Sequence, residues 1–292
     1  MNLSLDFADI NGIKLAYFKS EVVSQADQTI LCVHGLGCHG RMWDTSLKDL
    51  SASIPSFCIE LRGHGRSEKR GPYSWSQFGR DICSFIQKLD LKSIVGVGHS
   101  MGGHLLLQAA ATLSDRFDGL VLLDPVVFQP RAYLNPRHTK IFHSPDEHPY
   151  ARRKYLWNSA DEWFDAIKNR DPFKLWNSEV LRNHCDFGLE PVLKNQYQLC
   201  CPPLVEAEAS LNSNDTNIHP MLGMVNVPVT VLRAKTAPGF RHPLDNLHST
   251  TWPRLAERLP QGIDKHMPDL THFIPMQRPD IVGQEVRAHL SD

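Results

Sequence analysis

The sequence predicts an α/β fold: a mostly parallel central sheet with helices on both faces, interrupted by a mainly helical insertion. Three observations predict it. Short apolar runs at Thr29 to Val33, Phe57 to Leu61, Ser93 to Val97 and Leu120 to Leu123 are bounded by glycine or charge, as strands buried on both faces are. Stretches of helical period, Trp75 to Leu89 and Met101 to Leu113, alternate with them. The rhythm then breaks for roughly one hundred residues before the next such run, Val229 to Leu232, and that gap marks the insertion.

In chain order, Leu3, Leu5 and Phe7 alternate with polar residues, and Asn11-Gly12 offers a two-residue turn before Ile13 to Phe18. The chain therefore opens with an antiparallel hairpin. The alternating core follows as far as Asp124-Pro125. The insertion carries Pro130, Pro136, Pro145 and Pro149, then amphipathic stretches at Ala151 to Trp157, Ala160 to Arg170 and Ser178 to Phe187 that read as helices. Trp157, Trp163, Phe164, Phe173 and Trp176 make it rich in large apolar groups. Most of these are expected to pack the insertion onto the core, and one or two to line a ligand cleft. Gly262 to Lys265 reads as the last strand. The expected division is a core of residues 1–127 and 226–292 with the insertion at 128–225. No internal repeat or low-complexity tract is visible.

Composition limits what such a chain can do. With 292 residues, 41% of them hydrophobic and 22% charged, it can bury a sizeable core, which excludes disorder as the main state. A net charge of −1 without a run of one sign supplies no basic face for nucleic acid or an anionic membrane. The first residues, Met1 to Phe7, lack the basic and apolar regions of a signal peptide. Leu105 to Leu113 and Gly119 to Phe128, the most apolar stretches, fall short of the ~20 residues of a membrane span. Seven cysteines, with Cys32, Cys58 and Cys83 in apolar surroundings, fit a reducing, cytoplasmic compartment. Cys200-Cys201 has no accompanying CxxC pair and reads as packing rather than metal or redox chemistry.

Chemistry concentrates at Gly98-His99-Ser100-Met101-Gly102, a Gly-x-Ser-x-Gly pattern between a strand and a helix. Such a turn holds its serine in a strained conformation with the hydroxyl exposed. The flanking glycines let strand and helix approach closely. Gly96-Val97-Gly98 with Asp124 downstream also resembles a dinucleotide-binding unit, but Met101 stands where that motif needs its third glycine. The loop His34-Gly35-Leu36-Gly37 can aim a backbone N–H at the serine, so the amides of Leu36 and Met101 are the candidate oxyanion donors. His272, on a loop after the last strand, is the candidate general base.

On His34 to Gly37, the Leu61-Arg62-Gly63-His64-Gly65-Arg66-Ser67 turn, the Gly98 to Gly102 elbow and His272, the chain resembles the α/β-hydrolase superfamily over essentially its whole length. The resemblance implies that fold, with the insertion as a helical cap, and a nucleophile, acid and histidine in that order. The commonest position for the acid is occupied by Ala237, in Arg233-Ala234-Lys235-Thr236-Ala237. A minority of the superfamily takes its acid from the strand after the nucleophile helix. Here that strand ends in Asp124, 24 residues beyond Ser100. A strand-end aspartate also caps turns, so Asp245 and Asp269 stay as alternatives. His99 reads as packing beside the sheet or lining the pocket, and His64 as part of a turn that shapes the core. Cys200-Cys201-Pro202-Pro203 and Glu206-Ala207-Glu208 resemble a stretch in bacterial members that carry the acid after the earlier strand.

The expected activity is therefore a serine hydrolase acting on small-molecule carboxylic esters with an apolar acyl or alcohol group, without metal or organic cofactor. The same groups serve lactonases, C–C bond hydrolases, thioesterases and amidases. Serine as nucleophile argues against dehalogenase or epoxide-hydrolase chemistry, since members of the superfamily with those activities carry an aspartate there. A non-catalytic ligand receptor of the same fold is the reading from another class, favoured only by Ala237.

Overall fold

The structure, a computed structural model, describes residues 3–22, 27–50, 52–134, 141–239, 242 and 244–291. Met1 and Pro136 lie outside them. The opening hairpin is β1 (Leu3–Ile10) and β2 (Ile13–Ser20), closed by Asn11 and Gly12, both at positive φ. The core continues through β3 (Thr29–Val33), a short α1 (Asp44–Leu47), β4 (Ser56–Ile59), α2 (Trp75–Lys88), β5 (Ile94–His99), α3 (Met101–Thr112) and β6 (Phe117–Leu123). Strand ends differ from the sequence reading by a few residues for local reasons. β4 ends at Ile59: the Glu60 N–H still bonds the Ala16 carbonyl of β2, but the Leu61 N–H turns to the His34 imidazole, and Ser93, at φ +48°, lies in the turn before β5.

After β6 the chain leaves the sheet. It forms β7 (Leu156–Trp157), α4 (Ala160–Ile167), α5 (Ser178–Phe187), β8 (Leu189–Leu193), β9 (Gln196–Leu199) and α6 (Pro203–Leu211) before returning as β10 (Val229–Ala234). Then come β11 (Gly262–Met267), α7 (Ile274–Gln277) and α8 (Pro279–Arg287). Two expectations are corrected here. Ala151 to Trp157 is not a helix: a single 3₁₀ turn, Pro149–Arg152, gives way to β7, which pairs with β9 in a three-stranded antiparallel sheet β7-β9-β8. That pairing is non-local, and apolar spacing within the segment carries no trace of it. The helix expected to run to Arg170 ends at Ile167, where Lys168 caps it.

The main sheet has eight strands in the order β1-β2-β4-β3-β5-β6-β10-β11, parallel from β4 onward. Its residues alternate between two cores. Leu120 and Leu122 of β6 face α2 and α3, whereas Val121 and Leu123 face α1, α7 and α8 through Leu47, Ile274, Val282 and Val286. Parallel strands put all their carboxyl ends on one edge, and in such sheets that edge is where side chains from different strands converge. Ser100, Asp124 and the Leu36 loop all follow strands that end there.

Candidate active site

Ser100 follows β5 directly, at φ +56° and ψ −118°. A non-glycine residue in that region is strained by about 1–3 kcal/mol. The strain is held in place by close packing, because a Cβ on Gly102 would lie 2.0 Å from the Val33 carbonyl oxygen and one on Gly98 would lie 2.8 Å from Gly102. Only glycine lets α3 start so close to β3 and β5. The Ser100 N–H is fixed to the Leu123 carbonyl, so the turn is also locked to β6. Met101, the first residue of α3, has an N–H that by position lacks an intrahelical partner.

The His272 imidazole bridges the other two groups, although its loop follows the far strand β11. Its Nε2 lies 2.9 Å from Ser100 Oγ and its Nδ1 2.6 Å from Asp124 Oδ2. A carboxylate can only accept, so Nδ1 carries the proton and Nε2 is left to accept from the serine hydroxyl. The ring is held from behind by His99, whose Nε2–H donates to the His272 carbonyl at 2.9 Å. Burial, followed by the neighbouring His272, pushes His99 down to about 3, so it serves as a neutral strut. His99 is buried beside the sheet and also lines the cavity.

Asp124 is wholly buried and collects donors from several elements. Its Oδ1 accepts from the Ala234 N–H at 2.9 Å and from the hydroxyls of Ser249 and Thr251; its Oδ2 accepts from the Thr250 N–H at 3.1 Å as well as from His272. Burial by itself would raise this carboxyl. The His272 hydrogen bond and charge, with the donors at Ser249 and Ala234, outweigh it and hold the group below its usual value. Sequence reasoning missed these donors; the Ser249-Thr250-Thr251 run was their only trace. Asp245 lines the same cavity but its carboxylate is engaged with His248 at 2.7 Å, and Asp269 is exposed in the turn after β11. Neither touches His272 through any hydrogen bond among the described residues.

Gly35 brings the Leu36 loop against the serine: a Cβ there would lie 2.8 Å from His99 Nδ1 and 3.1 Å from Ser100 Cβ. His34 anchors the loop by accepting from the Leu61 N–H at 3.1 Å. Leu36 and Met101 line the cavity together with Ser100. His64, by contrast, is buried away from it, and Arg62 in the same turn pairs with buried Asp81 at 2.8 Å.

The cavity measures about 530 Å³, the size of a small organic molecule's site. Trp157, Trp163, Phe173 and Trp176 all line it, more than the one or two aromatic residues expected. One polar feature was not foreseen. Half-buried Arg153 forms an ion pair with buried Glu206 on the wall, and the Glu206 carboxylate fills the space a Cβ on Gly37 would take. Burial raises Glu206, while the Arg153 charge and hydrogen bond oppose that rise. Among the described residues no cluster of histidine, cysteine or acidic side chains could hold a metal ion, and no helix is long and apolar enough to cross a membrane.

Residues 30–285 match the model of the alpha/beta hydrolase family. The chain is 35% identical over 263 residues to Lipase LipV of Mycobacterium tuberculosis, covering 89% of this chain and 92% of that protein. Among solved structures it is similar to E-2-(acetamidomethylene)succinate hydrolase, with a TM-score of 0.75 at 17% identity over 99% of each chain. It is similar as well to the enol-lactonase of Burkholderia xenovorans, with a TM-score of 0.68 at 20% identity over 97% of this chain and 99% of the other. At those identities the two structures speak for the fold alone.

Proposed function

The chain belongs to the alpha/beta hydrolase family, and from that premise we propose that it is a serine hydrolase cleaving carboxylic esters through an acyl-enzyme. The observation that carries this reading is the unbroken line Ser100 Oγ, His272 Nε2, His272 Nδ1 and Asp124 Oδ2, opening on a cavity of about 530 Å³. Ser100 Oγ attacks the acyl carbon as its proton passes to His272 Nε2. The carbonyl π electrons move onto oxygen, where the N–H groups of Leu36 and Met101 receive the negative charge. Collapse expels the alcohol, which takes the proton from His272. Water, deprotonated by the same nitrogen, then releases the acid and restores Ser100. Asp124 keeps the imidazole in the tautomer this needs and stabilises its cation.

In this reading residues 128–225 form a cap over a core of 1–127 and 226–292. Its aromatic wall favours neutral esters with an apolar acyl or alcohol group, because Arg153 and Glu206 already neutralise each other. Similarity to a protein named as a lipase supports esters over the other bonds this triad cleaves. The strain at Ser100 favours a catalyst over a receptor, since binding alone would not call for a cavity-lining serine held at φ +56°. The cysteines are free thiols, the state a reducing, cytoplasmic compartment keeps.

A fluorophosphonate probe tests the assignment. It should label the protein once, at Ser100, and label Ser100→Ala not at all, while 4-nitrophenyl esters are turned over by the parent only. Labelling at another serine, or labelling undiminished in Ser100→Ala, removes the nucleophile.

A further inference from the structure

The loop that carries the Leu36 amide has little of its own to hold its tip in place. One backbone hydrogen bond crosses the tip, from the Cys38 N–H to the Gly35 carbonyl at 3.2 Å, and the N–H groups of Leu36 and Gly37 meet no acceptor among the described residues. Amides left free in this way suit an oxyanion, but their direction has to be set by what packs on the loop. Gly35 rests on the elbow at Ser100 and His99. On the other side the Glu206 carboxylate of α6 lies against Gly37, where a Cβ would stand 2.6 Å from Oε1 and 2.9 Å from the carboxyl carbon. Gly37 itself is at φ +72°, a turn that glycine takes without strain.

Glu206 reaches that place from the insertion, and Arg153 keeps it there. The buried carboxylate accepts one hydrogen bond, from Arg153 to Oε2, and Oε1, the oxygen nearest Gly37, has no donor among the described residues. Buried Asp81 in the core is far better supplied, with Arg62 Nε at 2.8 Å, Arg62 Nη2 at 3.1 Å, Asn11 Nδ2 at 2.9 Å and Gln77 Nε2 at 2.8 Å. Taking a carboxylate out of water for a single donor costs stability. A tie needed only inside the insertion avoids that cost by staying near the surface, as Lys154 with Glu162 does. What the inward position of Glu206 adds is its contact with the loop.

Charge fits the same role. A lone carboxylate behind an oxyanion hole would repel the charge the hole has to receive, and Arg153 offsets it. Cys38 and Cys201, the other titratable side chains acting on Glu206 or acted on by it, are buried thiols; burial, then the Glu206 charge, pushes Cys38 up to about 12 and Cys201 well above its usual value. Both stay neutral.

We infer that Glu206, anchored by Arg153, is a positioning residue for the oxyanion loop, so that the Leu36 amide is aimed at the acyl oxygen only while α6 and the Pro149–Arg152 turn sit on the core. This deepens the ester-hydrolase reading and rests on it. Glu206→Asp keeps the charge but draws the carboxylate back by one methylene, whereas Glu206→Gln keeps the reach and loses the charge. On a 4-nitrophenyl ester Glu206→Asp should lower kcat by about tenfold with KM changed by less than about threefold, and Glu206→Gln should stay within about threefold of the parent. A trifluoromethyl ketone reports on the hole itself: Ser100 Oγ adds to its carbonyl carbon, the serine proton passes to His272 Nε2, and the carbonyl oxygen becomes an alkoxide facing the amides. The affinity for 1,1,1-trifluorohexan-2-one relative to hexan-2-one, which only fills the cavity, should fall in Glu206→Asp by the same factor as kcat. A residue that only stabilises the fold would lower the melting temperature and leave that ratio unchanged. Gly37→Ala combined with Glu206→Asp should lose less than the product of the separate losses, because the shorter side chain gives the new Cβ room. If Glu206→Asp fails to fold, as its thermal melt reports, Arg153→Met decides, since it takes away the anchor and should lower kcat and the ketone ratio alike. Parental kcat and ketone ratio in these variants, losses that multiply, or an equal loss in Glu206→Gln overturn the inference. The ketone ratio, followed by tryptophan fluorescence, needs no turnover and so separates the two readings. A parent that cleaves no ester yet prefers the trifluoro ketone more strongly than Glu206→Asp does would sink the ester hydrolase and keep the positioning role, and turnover with an unchanged ratio would do the reverse.

Discussion

Asp124→Asn puts the proposed acid to the hardest test, because the structure says what the new amide would meet. Every protein group on the two carboxylate oxygens can donate, and one partner on each side is a backbone N–H that cannot turn: Ala234 on Oδ1 and Thr250 on Oδ2. An asparagine must set its NH₂ against one of them. If the NH₂ takes the Oδ1 place, it opposes the Ala234 N–H and leaves a buried donor unmet, a loss of about 1–3 kcal/mol. If it takes the Oδ2 place, it also faces His272 Nδ1 and draws the proton to Nε2, the tautomer that cannot accept from Ser100. In both orientations the imidazolium loses its counter-charge. The equivalent change in a serine protease lowers kcat by about 10⁴-fold. Here the expected fall is about 10²- to 10⁴-fold, or roughly 3 to 5 kcal/mol of transition-state stabilisation. The melting temperature should drop by only about 2–10 °C. The assay is kcat on a 4-nitrophenyl ester beside a circular-dichroism melt, with Asp245→Asn and Asp269→Asn in parallel. Near-parental turnover in Asp124→Asn, or a larger loss in Asp245→Asn, would refute the assignment.

Gly37 sits at φ +72°, and a Cβ there would lie 2.6 Å from Glu206 Oε1. Gly37→Ala should therefore displace the Leu36 amide and lower kcat by about tenfold or more, with about 1–3 kcal/mol of stability lost. Unchanged kcat and melting temperature would show that the loop has room to shift. Acid should unfold the protein in a defined window. Burial is the largest cause holding His64 and His104 at about 4 and His99 and His184 at about 3, each below the ~6.5 of an unfolded chain. Below pH 6.5 the unfolded state binds more protons, so stability is full above that pH and declines toward pH 4. The slope is about 1.4 kcal/mol per pH unit for each histidine that stays neutral. Asp124, held low, loses its own contribution only below about pH 4. A urea midpoint that stays flat between pH 7 and 4.5 would contradict this.

Local pattern was enough for the sheet and for the elbow. Thr29 to Val33 and Ser178 to Phe187 coincide with a strand and a helix because short apolar runs and amphipathic period are properties of the segments themselves. Ser100, Asp124 and His272 were legible as candidates from motif and chain order, and the structure brings the three within hydrogen-bond reach. What escaped is what depends on a partner far along the chain. Leu156-Trp157 becomes a strand only by meeting Tyr197 and Gln198, and no spacing near residue 156 announces that. The hydroxyls and amides around Asp124 come from residues 110 to 127 positions later. His184 read as one more polar residue on an amphipathic helix, since its neighbours Trp163, Trp176 and His39 converge only in three dimensions.

If the acid stands at Asp124, directly after β6, as proposed, the demands on the stretch after β10 change. Ala234 serves Asp124 through its amide, which every residue except proline carries, and Thr250 serves it the same way. A loop obliged to deliver a carboxylate at a set point cannot vary in length or composition without losing activity. A loop that delivers backbone N–H groups is free of that obligation over most of its span, as long as its two ends stay pinned. Between those ends the sequence can therefore change in length and composition, and new contacts can arise at the cavity rim, where Leu244 and Asp245 already stand. With the proposed acid held directly after β6, this rim is the part of the site most open to change by selection or by design.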